Sequence, residues 1–465
     1  MSRSRAMPTA NLRPAPASPS GPAFLDPSPY VSPPTDRRPA LSGDLRADVV
    51  IVGGGYTGLS TALALGAAGV EVVVLERDHC GWGASGRNAG HLTPTICKDL
   101  PTAVMLFGAA AAGRLARFAD HCVETTERLI REFAIDCDYH ATGNLMAAVH
   151  PLQERRLRKA TAEARALGAQ MRYVESGEMR ERGLPAAFIS GALEERGGTL
   201  HPGKLVTGLR RGALARGLRV HEGTTVTRIE SGAPMRVHTP GGIVTADQVL
   251  LATNAYSGEI GRPGERIVPL YITLFETAPL DDAQLASIGG WRGREGIYTA
   301  HESMESYRLT ADRTIIGGSK DVQYFYDCAP HAHGGPRDAR PASVVRAFRE
   351  RFPELAQVPV AHCWAGWCGM TLNFLPGVGR AGDGSELYYA IGYNGHGVAQ
   401  ATTLGGVVAD LMLGRTNPWH EVICRPPAWL PPKPLRYPLV RALLGAVNAV
   451  DAYVDRRTVR AQRRG

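Results

Sequence analysis

The sequence predicts an α/β fold in which a parallel sheet is built near both ends of the chain and a strand-rich stretch lies between. Three observations predict it. Residues 47–78, "ADVVIVGGGYTGLSTALALGAAGVEVVVLERD", read as apolar run, glycine turn, helical stretch and second apolar run. Both apolar runs are continuous rather than alternating, the pattern of strands buried on two faces of a parallel sheet. Residues 387–414, "LYYAIGYNGHGVAQATTLGGVVADLMLG", repeat strand, glycine turn and helix. Between the two lie hairpin-like runs such as "ESYRLTADRTIIGGS", which turns at Ala311-Asp312-Arg313.

The remaining elements follow in order. Residues 1–44 are dominated by Pro, Ser, Ala and Arg and bury too little apolar surface to offset ordering, so they read as a disordered arm. "LARFADHCVETTERLIREF", within 105–135, spaces its apolar side chains three and four apart, as a helix does. "DCDYHATGNLMAAVH" reads as a strand pair and "PLQERRLRKATAEARALGA" as a charged helix. "LHPGKLVTGLRRGALARGLRVHEGTTVTRIE" gives helix then strand, and "MRVHTPGGIVTADQVLLATNAY" a hairpin that runs into a buried strand. From 438 onward, Val440, Leu443, Leu444, Val447, Val450 and Val454 fall on one helical stripe with arginines beyond it. That basic amphipathic tail is expected to dock on the fold rather than to anchor on a membrane surface.

Composition narrows the class. A chain of 465 residues, 44% hydrophobic, suits two or three units and a large buried cofactor. The net charge of +8 sits largely in the two tails and comes with no nucleic-acid motif, so nucleic acid is excluded as partner. The start lacks the apolar core of a secretory signal, and no apolar run is long enough to span a bilayer. The cysteines at 80, 97, 122, 137, 328, 363, 368 and 424 form no CxxC pair and read as reduced thiols. A cytoplasmic protein with no transmembrane segment and no metal site is expected.

Gly53, Gly55 and Gly58 form G-x-G-x-x-G directly after a strand and at the opening of a helix. Gly53 permits the tight turn, Gly55 lets the backbone approach a pyrophosphate, and Gly58 lets helix and strand pack closely. The anion then rests on amides at the helix N-terminus, those of Tyr56 and Thr57 among them. Glu76 ends the next strand, where a carboxylate accepts from ribose hydroxyls and repels a 2′-phosphate. The unit is therefore a Rossmann-like dinucleotide site, and with one fingerprint present the reducing equivalents come from the substrate itself.

The fingerprint, the loop "GWGASGRNAGH" at 81–91, the segment from Leu200 to Glu230 and the ending "WAGWCGMTLNFLPGVG" with "LYYAIGYNGHGVAQATTLGG" together resemble the D-amino-acid oxidase superfamily of flavoproteins. The nearest branch is that of the gamma-glutamylputrescine oxidase-like amine oxidases, and the likeness covers about residues 46–420. It implies an α/β, two-domain flavoprotein: a Rossmann-like FAD-binding domain with an interleaved antiparallel-sheet substrate domain. The boundaries expected are 45–134, 196–261 and 361–420 for the first, 135–195 and 262–360 for the second, and 421–465 for the tail.

The resemblance carries Ala84, Ser85, Gly86, Arg87, Asn88, Gly90 and His91 over as FAD contacts, Val226 as the backbone beside the adenine, and Gly392, Gly395 and Gly397 as the turn under the flavin. Arg87 pairs with an anionic group or braces the loop, with bracing preferred. His396 adds positive charge near the reduced ring or merely caps the turn. Covalent attachment through His91 or Cys368 is the minority reading beside noncovalent FAD. The reaction implied is oxidation of a C–N bond in an amine or amino acid, by hydride transfer to the flavin and hydrolysis of the imine. Tyr307 and Arg308 are the candidates for the substrate face, and molecular oxygen is the expected acceptor. Related oxidases place a lysine where this chain has Ile315-Ile316-Gly317-Gly318, which leaves a dehydrogenase passing electrons to a protein or quinone as the alternative.

Overall fold

The computed structural model of the chain describes residues 22–261, 264–327, 330, 335, 337–381 and 384–462; Cys328 and residues 1–21 of the expected arm lie outside them. Its first sheet has a parallel centre in which Arg219–Glu222, Val72–Glu76, Leu45–Val52, Gly242–Leu251 and Leu387–Ile391 are neighbours in that order. Val50, Ile51, Val73, Val74, Leu250 and Ile391 are fully or almost fully buried, as unbroken apolar runs require. The long strand Gly242–Leu251 divides its pairing: Gly242–Ala246 pair with the antiparallel strand Met235–Thr239, and Val249–Leu251 with Leu387–Ile391. Leu387–Ile391, late in the chain, is thereby brought within one neighbour of Leu45–Val52.

Two helices cover one face of this sheet and each other. Gly405 sits where a Cβ would stand 2.6 Å from Ser60 Cβ and 2.9 Å from the Thr57 carbonyl oxygen. Helices Tyr56–Ala67 and Gly397–Met412 therefore meet almost backbone to backbone, and their N-termini come together.

The second sheet has nine strands in the order Ala23–Phe24, Val360–Met370, Val268–Thr277, Ile315–Gly318, Ser306–Leu309, Gly296–Thr299, Asn144–Ala148, Ser190–Glu194, Met171–Val174. All its pairings are antiparallel except the first and that of Gly296–Thr299 with Asn144–Ala148. One face buries Leu145, Phe275, Ile297, Tyr307, Ile315 and Cys363 together with Phe348 and Phe352. The opposite face presses on the loop at 84–92.

Three expectations are corrected. Residues 22–44 are docked: Leu25 N donates to Cys363 O, Ser28 Oγ to Gly86 O, and Val31 and Leu41 are buried. Composition could not show this because every partner is remote in sequence. The strand Val360–Met370, expected in the FAD-binding domain, belongs to the nine-stranded sheet, where it pairs with Val268–Thr277 along nearly its whole length. The tail is one helix, Lys433–Gln462, whose valines and leucines do not share a face: Val440 and Leu444 pack inward while Leu443 and Val450 are exposed.

Candidate active site: a cofactor cradle against the second sheet

The glycine turn is built as its spacing predicts. Gly53 has φ +112°, and a Cβ there would stand 2.8 Å from Ala252 O; at Gly58 it would stand 1.9 Å from Gly53 O. No other residue type fits either place. Gly55 precedes the helix in extended conformation with no side-chain cap, and Ser85 Oγ accepts from Tyr56 N at 3.0 Å. The serine of the second loop thus shares the helix N-terminus with whatever anion is bound. Glu76 accepts from Gly54 N at 2.7 Å and from Asp78 N at 3.0 Å, at the strand end where a ribose carboxylate is required. Burial raises its pKa.

Tyr56 and Thr57 contribute through their side chains as well. Tyr56 Oη donates to Pro202 O, and Thr57 Oγ1 meets Tyr393 Oη at 2.5 Å. Tyr393 belongs to the C-terminal turn, so this contact joins the two glycine turns directly.

The loop at 84–91 is held in shape by its own polar residues. Asn88 Nδ2 donates to Ala84 O and Ser85 O, and its Oδ1 accepts from Gly90 N. Gly86 would place a Cβ 2.4 Å from Gly81 O, and Gly90, at φ +81°, 2.1 Å from Leu200 O. Arg87 donates from Nε to Trp82 O at 2.7 Å and from Nη1 to Asp26 Oδ1 at 2.6 Å and Ala365 O at 3.1 Å, with its guanidinium over the Trp82 ring. Those bonds tie the loop to Asp26 and to the second sheet, while Nη2 is buried with no partner among the described residues.

The second sheet supplies the other half. Trp364 Nε1 donates to Arg87 O at 3.0 Å, Arg308 Nε to Ala89 O at 2.8 Å, and Asn144 Nδ2 to Leu92 O at 2.8 Å. Three strands of the sheet thus hold the loop at three successive points. Arg308 also reaches Tyr30 Oη through Nη2, at 3.3 Å, leaving Nη1 outside these bonds.

Tyr307 is the main correction. Neighbouring side chains on a strand point to opposite faces. Arg308 faces the loop, so Tyr307 faces the core, where it is 1% exposed, packs against Phe188 and Phe352 and donates to Glu305. It takes no part in a substrate face.

His91 stands between loop and sheet. Asn144 donates through Nδ2 to Leu92 O, so its Oδ1 is an acceptor, and His91 Nδ1 at 3.1 Å is the donor to it. The proton is thereby placed on Nδ1 and the Nε2 lone pair left bare. Nε2 is buried and finds no partner among the described residues. Burial lowers the His91 pKa to about 4, so the ring is neutral near pH 7.

In the C-terminal turn Gly392 has φ +81° and donates to Asn254 Oδ1; Asn394 accepts from Thr371 N and donates to Gly392 O. Gly395, at φ +88°, would point a Cβ into open space. Helix Gly397–Met412 begins at His396 with no side-chain cap, so its first amides stay available to a bound acceptor. Burial lowers His396 to about 4, and its side chain makes no capping bond. The cap expected of its side chain is therefore absent, and the positive end of the helix lies at this turn.

Val226 lies in the segment ahead of the strand Arg228–Glu230, not within it. Thr224 N donates to Glu76 O, which sets that segment beside the ribose end of the cradle. Cys368 is half-buried, and desolvation pushes its thiol up to about 11, so it is protonated near neutral pH and a poor nucleophile. Asn144, Asn254, Trp364, Tyr393 and Asn394 were not among the candidates. "ATGN" and "ATNAY" carried turn residues after apolar runs, but nothing local tied them to the glycine loops.

Comparison with known proteins agrees with this architecture. The model of the family of FAD dependent oxidoreductases, DAO, matches residues 48–411. Gamma-glutamylputrescine oxidoreductase of Escherichia coli (strain K12) is 31% identical over 379 residues, covering 80% of this chain and 85% of that one. Glycine oxidase of Bacillus licheniformis is 24% identical, covering 79% and 94%. Among solved structures, L-proline dehydrogenase from P. horikoshii superposes with a TM-score of 0.68 at 21% identity, covering 83% of this chain and 97% of that one. Glycine oxidase from Geobacillus kaustophilus gives 0.66 at 19% identity, covering 83% and 100%. With the family model matching well over half its length, and both glycine turns and the loop between them shaped as a dinucleotide cradle, the chain belongs to the DAO family of FAD-dependent oxidoreductases.

Proposed function

We propose that the protein oxidises the C–N bond of an amine or amino acid. A neutral amine gives up hydride from its α-carbon to leave an iminium ion, which loses its N–H proton to solvent to give the imine, and water converts the imine to a carbonyl compound and ammonia or the released amine. FAD, when bound, supplies the hydride acceptor. The chain's own part is orientation and electrostatics. The uncapped helix N-terminus at Gly397 stabilises negative charge, and His91 Nε2 offers a lone pair to an N–H donor. Arg308 Nη1 is the candidate for a substrate carboxylate. The observation that carries the reading is the way Arg308, Asn144 and Trp364 clamp the 84–92 loop onto the second sheet. Substrate-facing groups and cofactor-facing backbone there share one surface.

FAD is proposed to be noncovalent, since the His91 ring is hydrogen-bonded and the Cys368 thiol protonated. Molecular oxygen is the proposed acceptor. A second reading, transfer to a protein or quinone, is favoured by the Ile316 position: it packs with Leu274 and Trp364, while Lys320 is committed to Glu305 and Asp455. A cytoplasmic location fits cysteines that are free at every described position.

The test is anaerobic flavin bleaching by a panel of primary amines, secondary amines and amino acids, followed by admission of air. Flavin that is bleached by no member of the panel rejects the substrate class. Peroxide formation with the active amine supports oxygen; bleaching that persists in air and reverses with a quinone or dye supports the second reading. Flavin that stays in the pellet after acid precipitation would overturn noncovalent binding.

A further inference from the structure

The helix Lys433–Gln462 lies beyond the residues covered by the family match and carries two separate faces. Its inner face is fully employed. Tyr437, Val440 and Leu444 pack against the cluster of Val268, Tyr324 and Leu430, and Asp451 accepts from the backbone amides of Glu302 and Ser303 at 2.8 and 2.7 Å. Asp455 pairs with Lys320 at 2.6 Å and with Arg351 and His301, and Thr458 closes on Val149 O.

The outer face is apolar again. Leu435, Leu439, Leu443, Val450 and Tyr453 recur at spacings of four, four, seven and three, on one side of the helix, and are 47–66% exposed. Small residues Ala442, Ala446 and Ala449 fill the gaps between them and are exposed too. Scattered exposed leucines need no explanation, but a second continuous stripe on an already docked helix does. Just before the helix, Trp429 is 66% exposed, and Tyr326, 54% exposed, sits edge-on against Tyr437.

Charge selects the occupant. Both acidic residues of the helix, Asp451 and Asp455, turn inward and are consumed by the bonds above. Lys433 donates to Asp327 O; the charges left outside are Arg441, Arg456 and Arg457, and the sequence adds Arg460, Arg463 and Arg464. Arg457 lies over the Tyr453 ring, at the edge of the stripe. A second copy of this helix would set arginine against arginine. A ridge of leucines flanked by arginines, with tryptophan and tyrosine at one end, has the make-up of a helix that lies in the headgroup layer of an anionic bilayer. No helix among the described residues is long and apolar enough to cross a membrane, so the contact is peripheral.

We infer that the outer face of helix Lys433–Gln462 docks the enzyme on an anionic lipid surface, with Leu435, Leu439 and Leu443 inserted and Arg456 and Arg457 on the headgroups. The experiment uses the flavin-loaded full chain in co-sedimentation with vesicles of phosphatidylcholine alone, or of phosphatidylcholine with phosphatidylglycerol, at low and high salt. The expected result is binding to the anionic vesicles that salt weakens. Each arginine near such a surface contributes roughly fivefold, so the Arg456→Glu/Arg457→Glu variant is expected to lose at least about tenfold in binding. Leu439→Gln/Leu443→Gln is expected to lose it as well, with flavin absorbance and melting temperature unchanged because both leucines are more than half exposed. Absence of wild-type binding, equal binding to neutral vesicles, or unaltered binding by either variant overturns the proposal. So does a dimer in sedimentation velocity that Leu439→Gln/Leu443→Gln dissolves, which would give the face to a second copy.

Discussion

The bond between His91 Nδ1 and Asn144 Oδ1 makes a residue-scale statement about protonation. Imidazole in an unfolded chain titrates near ~6.5, and here burial brings His91 to about 4. Between these values the unfolded chain binds the proton and the folded one does not. Stability from this source is full above the unfolded value and falls as pH drops toward 4, by about 1.4 kcal/mol per pH unit. His201 and His396, also lowered to about 4 by burial, act in the same direction and the same window. Melting temperature is therefore expected to decline between about pH 6.5 and 4 in the wild type, and less steeply in His91→Gln; parallel declines would show that His91 titrates normally. Arg308 permits a second prediction at this scale. Its Nε holds Ala89 O, a bond that Lys cannot make in the same geometry while also offering a planar edge to a carboxylate. Arg308→Lys is expected to raise KM for amino-acid substrates by about tenfold or more, the loss of one charged hydrogen bond. Its effect on amines without a carboxylate should be much smaller. An equal loss on both substrate types would reduce Arg308 to a brace for the loop.

At the scale of elements, the C-terminal helix is pinned by a buried network. Glu305, held down to about 2 chiefly against its own burial by Arg351 and Lys320, shares both cations with Asp455, whose carboxyl is likewise well below its usual range. Removing one charge leaves the others uncompensated, a loss of roughly 3 kcal/mol for a buried partner. Asp455→Asn is accordingly expected to speed hydrogen exchange throughout 433–462 while leaving exchange in the strand Leu45–Val52 unchanged; uniform acceleration would mean that the helix is integral to the whole fold. His301, Glu305 and Asp455 lie close enough to hold a metal ion, yet Arg351 and Lys320 already supply the positive charge there. These elements also show what could be read from the sequence. Gly53 and Gly58 were legible because a positive φ and a 1.9 Å approach admit one residue type, so each position announces itself. The period of two along Ser306–Leu309 forbids the shared substrate face expected of Tyr307 and Arg308, but does not say which of them faces the core. That choice depends on Phe352 and Ala89, far away in sequence. Val360–Met370 was placed in the wrong sheet for the same reason, its partner Val268–Thr277 lying upstream across the second domain. Residues 22–44 misled because Ser28, Val31 and Leu41 bury themselves against segments that composition does not see.

For the whole molecule the decisive fact is that the cradle belongs to no single segment. Gly53–Gly58, Ala84–Leu92 and Gly392–Gly397 meet only in the folded chain, tied by the Thr57–Tyr393 contact, the Ser85–Tyr56 bond and the clamp from the second sheet. An unfolded chain presents none of these surfaces together, so FAD binds the native state alone and stabilises it by mass action. At free FAD about 100-fold above Kd the gain is about 2.7 kcal/mol, which for a chain of this length raises Tm by roughly 3 °C. The rise should continue with the logarithm of FAD concentration. It should also move the unfolding of both sheets together, because the loop is bonded to one and the turns to the other. Gly58→Ala, whose Cβ would meet Gly53 O, removes the turn at its root and is expected to abolish the FAD-dependent rise. Calorimetry of wild type and variant across FAD concentrations decides it. A melt that separates into two transitions, only one of them moved by FAD, would show that the cofactor is held by the parallel-sheet unit alone and that the clamp from the second sheet contributes nothing to binding.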